Sequence, residues 1–552
     1  MKTFTRKLRG NLHWIFFVLV VLLTVYMDVY VANNLLDGDA SQLIAKGWLI
    51  KEQGNLFTDD LYLTTEVSFF DTSTLASLFF LFFDDWTLVR ILTTVTMQAA
   101  CVAAFLFLCS QSKVRFPQAL TVAGLLLLPV SIPYARCVLY HLYYLQYVTD
   151  LFLVLALVTR VLAAPKGRKR TGSWIVLALW SVYAGTVGIR YMLIIGLPLI
   201  VCTGLACLQK LNHHEWEDGK LSETDGSFWK SDEVRLLRVT GWICVFFVIG
   251  YIIYSAVLLP AYHFENTSST WFYPDVPVQR YVDIFMGWLI ASGIRSSMLP
   301  LVGLRGASLI ASLGLSVCLF VFSARGLSER TGETAAARLS RVMFVISFAV
   351  TTVVFAFESY DETSRYYELY YLPVLVLAYP ALAQEMSALK ERGKSAARKL
   401  LCLLACVCIL FQSAYSLYFI RVEKNRLDSW SGLWYTEMDT ADQVRDCVTF
   451  MQDNGYTHGY IDYWYANPMI ELSDGALSVA GLEPYYEKSD SLVMLRWGTF
   501  KSAFEKENLP EKVIVFAKRS DSDHFESNFP MALLVHEGWI FNGYEVDSAL
   551  IR

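Results

Sequence analysis

The residues best suited to chemistry lie in the stretch from Met27 to Glu66, MDVYVANNLLDGDASQLIAKGWLIKEQGNLFTDDLYLTTE, which carries Asp28, Asp37, Asp39, Asp59, Asp60 and Glu66. Asp37-Gly38-Asp39 is the strongest local candidate. Two carboxylates two positions apart around a glycine can share a divalent cation such as Mg2+ or Mn2+, or one can act as a general base while the other tunes its proton affinity. The same three residues also suit a plain turn, because Asp and Gly supply turn geometry. Position weighs toward chemistry: the pair directly follows a first apolar helix, and charges at a bilayer boundary are costly unless they meet a cation, a substrate or water.

Four arginines are expected at the same face of the membrane: Arg90, Arg190, Arg295 and Arg365, the last beside Tyr366. A planar guanidinium forms bidentate, charge-assisted bonds and so suits the phosphate of a lipid head group. Any one of them could equally cap a helix or pair with an acid such as Glu358 or Asp361. Asp150 falls near the middle of an apolar helix and His141 near its outer end. An intramembrane carboxylate is a functional hypothesis by default, although a bond to a neighbouring helix explains it as well. His213 and His214 read as solvated loop residues, and Asn266-Thr267-Ser268 matches a glycosylation sequon only as an isolated triplet.

The elements that must position these residues are membrane helices. The chain has 552 residues, of which 55% are apolar and 15% aromatic, a composition outside the range of soluble globular proteins. A net charge of −5 with Lys and Arg dispersed in short loops excludes a basic nucleic-acid footprint. Nearly all of the eleven cysteines fall in apolar stretches, so no disulfide framework or zinc spacing follows. The N-terminal run is expected to be a retained signal-anchor helix, since no small-residue cleavage site follows it.

Spans of roughly 20 apolar residues, oriented with basic loops inside, predict eleven transmembrane helices. These cover about 13–32, 86–109, 117–134, 138–163, 173–189, 191–208, 239–259, 300–324, 341–358, 367–384 and 399–420. The N-terminus is then cytoplasmic. Residues 33–85 form an acidic outer loop with interfacial helices, and the tail from 421 to 552 lies outside as an α/β domain. In that tail Thr440 and Gln443 fit a capping box, and YIDYWYA, ALSVAGL, KVIVFAK and LVHEGWIF read as β-rich runs.

The order of parts resembles the GT-C superfamily of integral-membrane glycosyltransferases. The resemblance rests on an acidic pair after the first helix (LLDGDASQLIAKGWLIKEQG), FFLFFDDWTLVRILTTV leading into an arginine on the second, GIRYMLIIGLPL, SRYYELYYLPVLVL before a late helix, and a closing α/β domain. It implies a polytopic α-helical fold and a donor sugar carried on a polyprenyl phosphate in a bacterial plasma membrane. It also implies an acceptor that is a glycan, glycolipid or protein, and no nucleotide-sugar site. By the same resemblance an aspartate of the first loop, Asp39 or else Asp37, activates the acceptor hydroxyl in an inverting transfer. Arg365, then Arg190, would bind the donor phosphate. Gly38 separates two aspartates where better-known members carry an Asp-Glu pair, which leaves a metal on Asp37 and Asp39 open. The rival expectation is a lipid-linked glycan transporter using the same outer arginines and Asp150, although no internal repeat supports one. A surface-polysaccharide polymerase would differ mainly in its acceptor.

Overall fold

In a lipid interior every backbone polar group must be bonded within its own helix, so the long apolar runs of this chain become helices. The computed structural model describes residues 2–63, 68–140, 142–163, 167–216, 231–262, 278–294, 303–326, 335–357, 370–389, 396–422, 441–483 and 491–551. Its first half comprises α1 (Lys2–Asn34), α2 (Gly38–Gln53), α3 (Thr72–Phe80), α4 (Trp86–Gln111), α5 (Phe116–Leu127), α6 (Ile132–Ala135, continued by a π-helical turn to Tyr140), α7 (Leu142–Ala163), α8 (Arg168–Val187) and α9 (Leu197–Trp216). Then follow α10 (Asp232–Ile253), α11 (Val278–Ala291), α12 (Gly303–Ala324), α13 (Ala335–Phe357), α14 (Leu372–Val376), α15 (Ala378–Ala388) and α16 (Ala396–Val422).

Among the described residues eight helices are long and apolar enough to cross a membrane: α1, α4, α7, α9, α10, α12, α13 and α16. Three of the eleven predicted spans depart from that form. The third is not one rod: α5 and α6 bend by 103° across Leu128–Ser131. The fifth, α8, opens on Arg168, Lys169 and Arg170, and the tenth is the short pair α14–α15. The interfacial helices behave as their length demands, α2 and α3 being far too short to span.

The C-terminal unit contains α17 (Ala441–Asp453), α18 (Tyr463–Leu472), α19 (Ser522–Asn528) and a six-stranded mixed sheet of order β3-β2-β1-β4-β6-β5. Its strands are β1 (His458–Asp462), β2 (Ser478–Leu482), β3 (Met494–Leu495), β4 (Lys512–Lys518), β5 (Leu533–Glu537) and β6 (Phe541–Asp547). β1 runs parallel to β2 and β4, and the remaining pairs are antiparallel. Strand alternation divides the core. Val513, Val515 and Ala517 pack beneath α19, whereas Ile514 and Phe516 face α17 and α18. The YIDYWYA run is a correction to the sequence reading, for only its first half is strand. Asp462 accepts the Trp464 amide at 3.2 Å and so caps α18, turning Tyr463 onward into helix. Of the predicted cap, Thr440 and the side chain of Gln443 lie outside the described residues.

The C-terminal unit shares its core with the segment between the first two spans. Ile44, Ala45 and Leu49 of α2, Ala76 and Phe80 of α3, and Trp86 and Val89 of α4 belong to the same apolar cluster as Met469, Ile470 and Ile514. The extended segment before α3 adds backbone pairing: the Tyr62 amide donates to Thr499 at 3.0 Å, and Gly498 donates back to Tyr62 at 3.0 Å. Asp60 accepts from the Ser502 amide and hydroxyl at 2.7 and 2.6 Å.

Helices α8 and α10 cross at near backbone contact. A Cβ on Gly250 would lie 1.9 Å from the Val182 carbonyl oxygen, and one on Gly185 would lie 2.1 Å from that of Phe247. Small residues are what allow membrane helices to approach so closely. Gly250→Val is therefore expected to lower stability by about 1–3 kcal/mol or more, the usual cost of overpacking. Thermal unfolding in detergent micelles measures this, with Gly172→Val, which meets nothing within 4 Å, as the neutral control.

Candidate active site

Asp37 sits in extended backbone immediately before α2 and is its N-cap. Its Oδ1 accepts the amides of Asp39 and Ala40 at 3.1 and 3.3 Å, satisfying donors that a helix start otherwise leaves bare. Its Oδ2 accepts from the Arg136 Nη2 at 2.7 Å. Both partners of this ion pair have side chains only 2% exposed. Arg136 opens the π-helical turn after α6, so the sharp break between α5 and α6 is what carries a guanidinium to the start of α2.

Asp39 is placed differently from Asp37. It lies in the first turn of α2, where the helix dipole favours negative charge, and it is half-buried. Its Oδ1 accepts from the Tyr463 hydroxyl at 2.8 Å, a contact across 424 positions of sequence. Burial, then the charge of Asp39, holds the Tyr463 hydroxyl well above the usual tyrosine range, so it stays a donor. Gly38 allows this meeting: a Cβ there would lie 3.2 Å from the Trp464 carbonyl oxygen and 3.3 Å from its Cα.

Arg90, a phosphate candidate by sequence, gives its guanidinium to Glu471. Its Nε donates to one carboxylate oxygen at 2.5 Å and its Nη2 to the other, while Nη2 also donates to the Ser41 hydroxyl at 2.9 Å. Arg90 is 1% exposed and Glu471 3%. This fork ties α4, α18 and the first turn of α2 together. The backbone of Trp86 donates to Asp474 at 3.1 Å one turn earlier on α4.

A polar chain leaves α2 two turns beyond Asp39. Lys46 Nζ donates to Asp71 at 2.8 Å and to the Ser68 carbonyl at 2.6 Å. The Ser68 and Tyr183 hydroxyls are 3.1 Å apart, Gln146 donates to Tyr183 at 3.2 Å, and the Tyr191 hydroxyl donates to Asp150 at 2.5 Å. Arg190 stands at this end with its Cζ 5.7 Å from the ring centre of Tyr147. Asp150 and Arg190 are thereby brought into one neighbourhood, on α7 and just before α9. Deeper in the bundle, Gln98 donates to Asp28 and to the Val138 carbonyl at 2.9 Å each, joining α1, α4 and the π-helical turn.

Arg295, Arg365 and Tyr366 lie outside the described residues, as do Glu66, His141, Asn266, Glu358 and Asp361 and the side chains of His213 and His214. Among the described residues no third carboxylate, histidine or cysteine joins Asp37 and Asp39 in a group able to hold a metal ion. Two amides and the Arg136 guanidinium occupy three acceptor positions of Asp37.

Sequence reading missed Arg136, although an arginine inside LLLLPVSIPYARCVLY carried a signal, since an ion at membrane depth requires a partner. Tyr463 and Glu471 carried none, because their partners are hundreds of residues away.

No family model matches the chain, and no curated protein matches it in sequence. Solved structures do. The crystal structure of ArnT from Cupriavidus metallidurans in the apo state aligns with a TM-score of 0.54 at 13% identity, covering 98% of this chain and 99% of that one. The same enzyme bound to undecaprenyl phosphate aligns with a TM-score of 0.52 at 13% identity over the same shares. The chain has the ArnT fold over nearly its full length, which is the GT-C-like architecture the order of parts implied.

Removing Arg136 strands a buried carboxylate. Arg136→Ala is expected to cost about 3–5 kcal/mol, the range for breaking one side of a buried pair. Adding Asp37→Asn should return part of that loss, read as coupling in a double-mutant cycle of thermal or denaturant unfolding.

Proposed function

We propose that this protein is a membrane glycosyltransferase that moves a sugar from a polyprenyl-phosphate donor to an acceptor hydroxyl, with Asp39 as general base. The observation that carries the reading is the divergence of the two aspartates. Asp37 caps α2 and pairs with Arg136, whereas Asp39 is half-buried in the first turn of α2 and bonded to Tyr463 of the C-terminal unit. The ArnT fold supports the donor class, since ArnT itself has been seen with undecaprenyl phosphate.

The chemistry follows from those positions. Asp39 takes the proton of the acceptor hydroxyl as its oxygen attacks the anomeric carbon. The bond from that carbon to the lipid phosphate breaks, the phosphate leaves with the electron pair, and the configuration inverts. Arg190, with Arg365, supplies positive charge for the phosphate as negative charge grows on it. Tyr463 holds Asp39 in place without competing for the proton. The basic segments at Arg115, Arg168–Arg170, Arg325 and Arg398 lie at the opposite ends of their helices from this site, so the positive-inside rule directs the site and the C-terminal unit outward and the N-terminus to the cytoplasm.

The test is transfer of labelled sugar from a set of polyprenyl-phosphate sugars to membrane extracts by the purified full-length protein. Asp39→Asn is expected to lower kcat by about 10²–10⁴-fold, the worth of a positioned general base. Its unfolding midpoint should stay close to that of the native protein. Arg190→Ala should weaken donor use while retaining the fold. If native protein consumes no donor but carries labelled lipid-linked glycan across proteoliposome membranes, the transporter reading replaces this one.

A further inference from the structure

At the end of the bundle opposite Arg190, α9 packs against both α10 and α13, and the three helices border a cavity that the transfer reaction does not use. Their apolar spans finish at Lys210 and start at Asp232 and Arg338, so all three cross the membrane boundary here. The cavity is polar only at that level, where Gln209, Glu233 and Arg338 line it. One to two turns deeper its wall is Cys202, Leu205, Leu236, Val342 and Ile346. The deepest of these lie about 10–12 Å inside the boundary, at a rise of about 1.5 Å per residue. At that depth the Thr203 and Thr240 hydroxyls, 2.9 Å apart, and the Cys202 thiol, donating to Met343 at 3.7 Å, join the three helices. The cavity holds about 480 Å³ of open space counted out to its mouth, the size class of ligand pockets. It adjoins the lipid-facing surface, for Leu205, Leu208 and Leu237 are exposed.

The mouth carries one cation and one anion. Arg338 is oriented by two bonds, from Nε to the Gly326 carbonyl at 3.0 Å and from Nη2 to the Gln209 side chain. Glu233 is half-buried in the first turn of α10, where the helix dipole favours a carboxylate. A dipole is not a partner, and among the described residues the Glu233 carboxylate has none. The nearby Arg235 is paired with Asp232 at 3.1 Å, and neither it nor Lys210 lines the cavity.

We propose that this cavity is a phospholipid site, and that its lipid carries a primary ammonium beside the phosphate, as phosphatidylethanolamine does. An acyl chain takes the apolar wall, the phosphate pairs with Arg338, and the ammonium pairs with Glu233. A guanidinium meets a phosphate through charge-assisted bonds, and a primary ammonium brings three N–H donors to a carboxylate. Phosphatidylcholine matches the chain and the phosphate, but its quaternary ammonium has no N–H to give. Phosphatidylglycerol brings no cation, so it sets a second negative charge beside Glu233. The site stands at the far end of the helices from Asp39 and is independent of the role given to that residue.

The experiment is native mass spectrometry of the full-length protein, delipidated in detergent and titrated with dioleoyl phosphatidylethanolamine, phosphatidylcholine or phosphatidylglycerol. Phosphatidylethanolamine is expected to bind about fivefold more tightly than either of the others, the upper range for a solvent-accessible ion pair. Glu233→Gln, which keeps the shape of the side chain, should remove that preference and leave phosphatidylcholine binding unchanged. Leu205→Trp, at an exposed position on the apolar wall, should weaken all three lipids without lowering the unfolding temperature. Equal binding of the three lipids by the native protein, or a preference that survives Glu233→Gln, overturns the head-group assignment. Binding that Leu205→Trp leaves unchanged lies elsewhere and overturns the site. Retention of no lipid, as when another segment of this chain fills the cavity, overturns it as well.

Discussion

The structure of the site depends on the buried pair of Arg136 and Asp37. Taking two ions out of water is expensive, and the cost is met only if their remaining bonding capacity is satisfied. Asp37 satisfies its own by capping α2, so one side chain serves both as the counter-ion of a membrane-depth arginine and as the start of an interfacial helix. The direction in which α2 leaves the bundle is therefore fixed by where the broken α5–α6 segment delivers Arg136. Everything α2 carries inherits that direction: Asp39 in its first turn, Ser41 toward Arg90, Lys46 toward Asp71, and the apolar Ile44, Ala45 and Leu49 toward the C-terminal sheet.

A second buried pair completes the arrangement. Arg90 and Glu471 join the first turns of α4 to α18, and Ser41 brings α2 to the same guanidinium. With one end of α2 set by the bundle and its flank set by the C-terminal unit, the unit is not an appendage on a tether. It shares a hydrophobic core with α2, α3 and α4, and it supplies Tyr463 to Asp39. The site is assembled from the two ends of the chain, and neither end alone would hold the carboxylate in its position.

This division explains what could be read from the sequence. The apolar runs announced their helices because lipid leaves the backbone no alternative, and Asp37-Gly38-Asp39 stood out by its place directly after a membrane helix. The bend between α5 and α6 was harder to see, since LLLLPVSIPYA remains apolar across it and only Pro129 and Pro133 mark the change. The half-strand at YIDYWYA misled because aromatic residues favour strands, while the capping oxygen of Asp462 acts locally and overrides that preference. Asp39–Tyr463 and Arg90–Glu471 were illegible for a different reason. They are contacts of the folded object, made by residue types that are unremarkable where they stand.

The two aspartates show how an environment sorts identical side chains. Asp37 is surrounded by donors that cannot leave: two amides of a helix start and a guanidinium that remains charged at any physiological pH. Such a carboxylate is an anchor, tying the start of α2 to Arg136. The Tyr463 hydroxyl beside Asp39 is a weak acid made weaker by burial and by the carboxylates next to it, so it steadies Asp39 without supplying a full positive charge. In the proposed reaction the base is Asp39, and Asp37, which anchors the start of α2 to Arg136, is what lets it be presented.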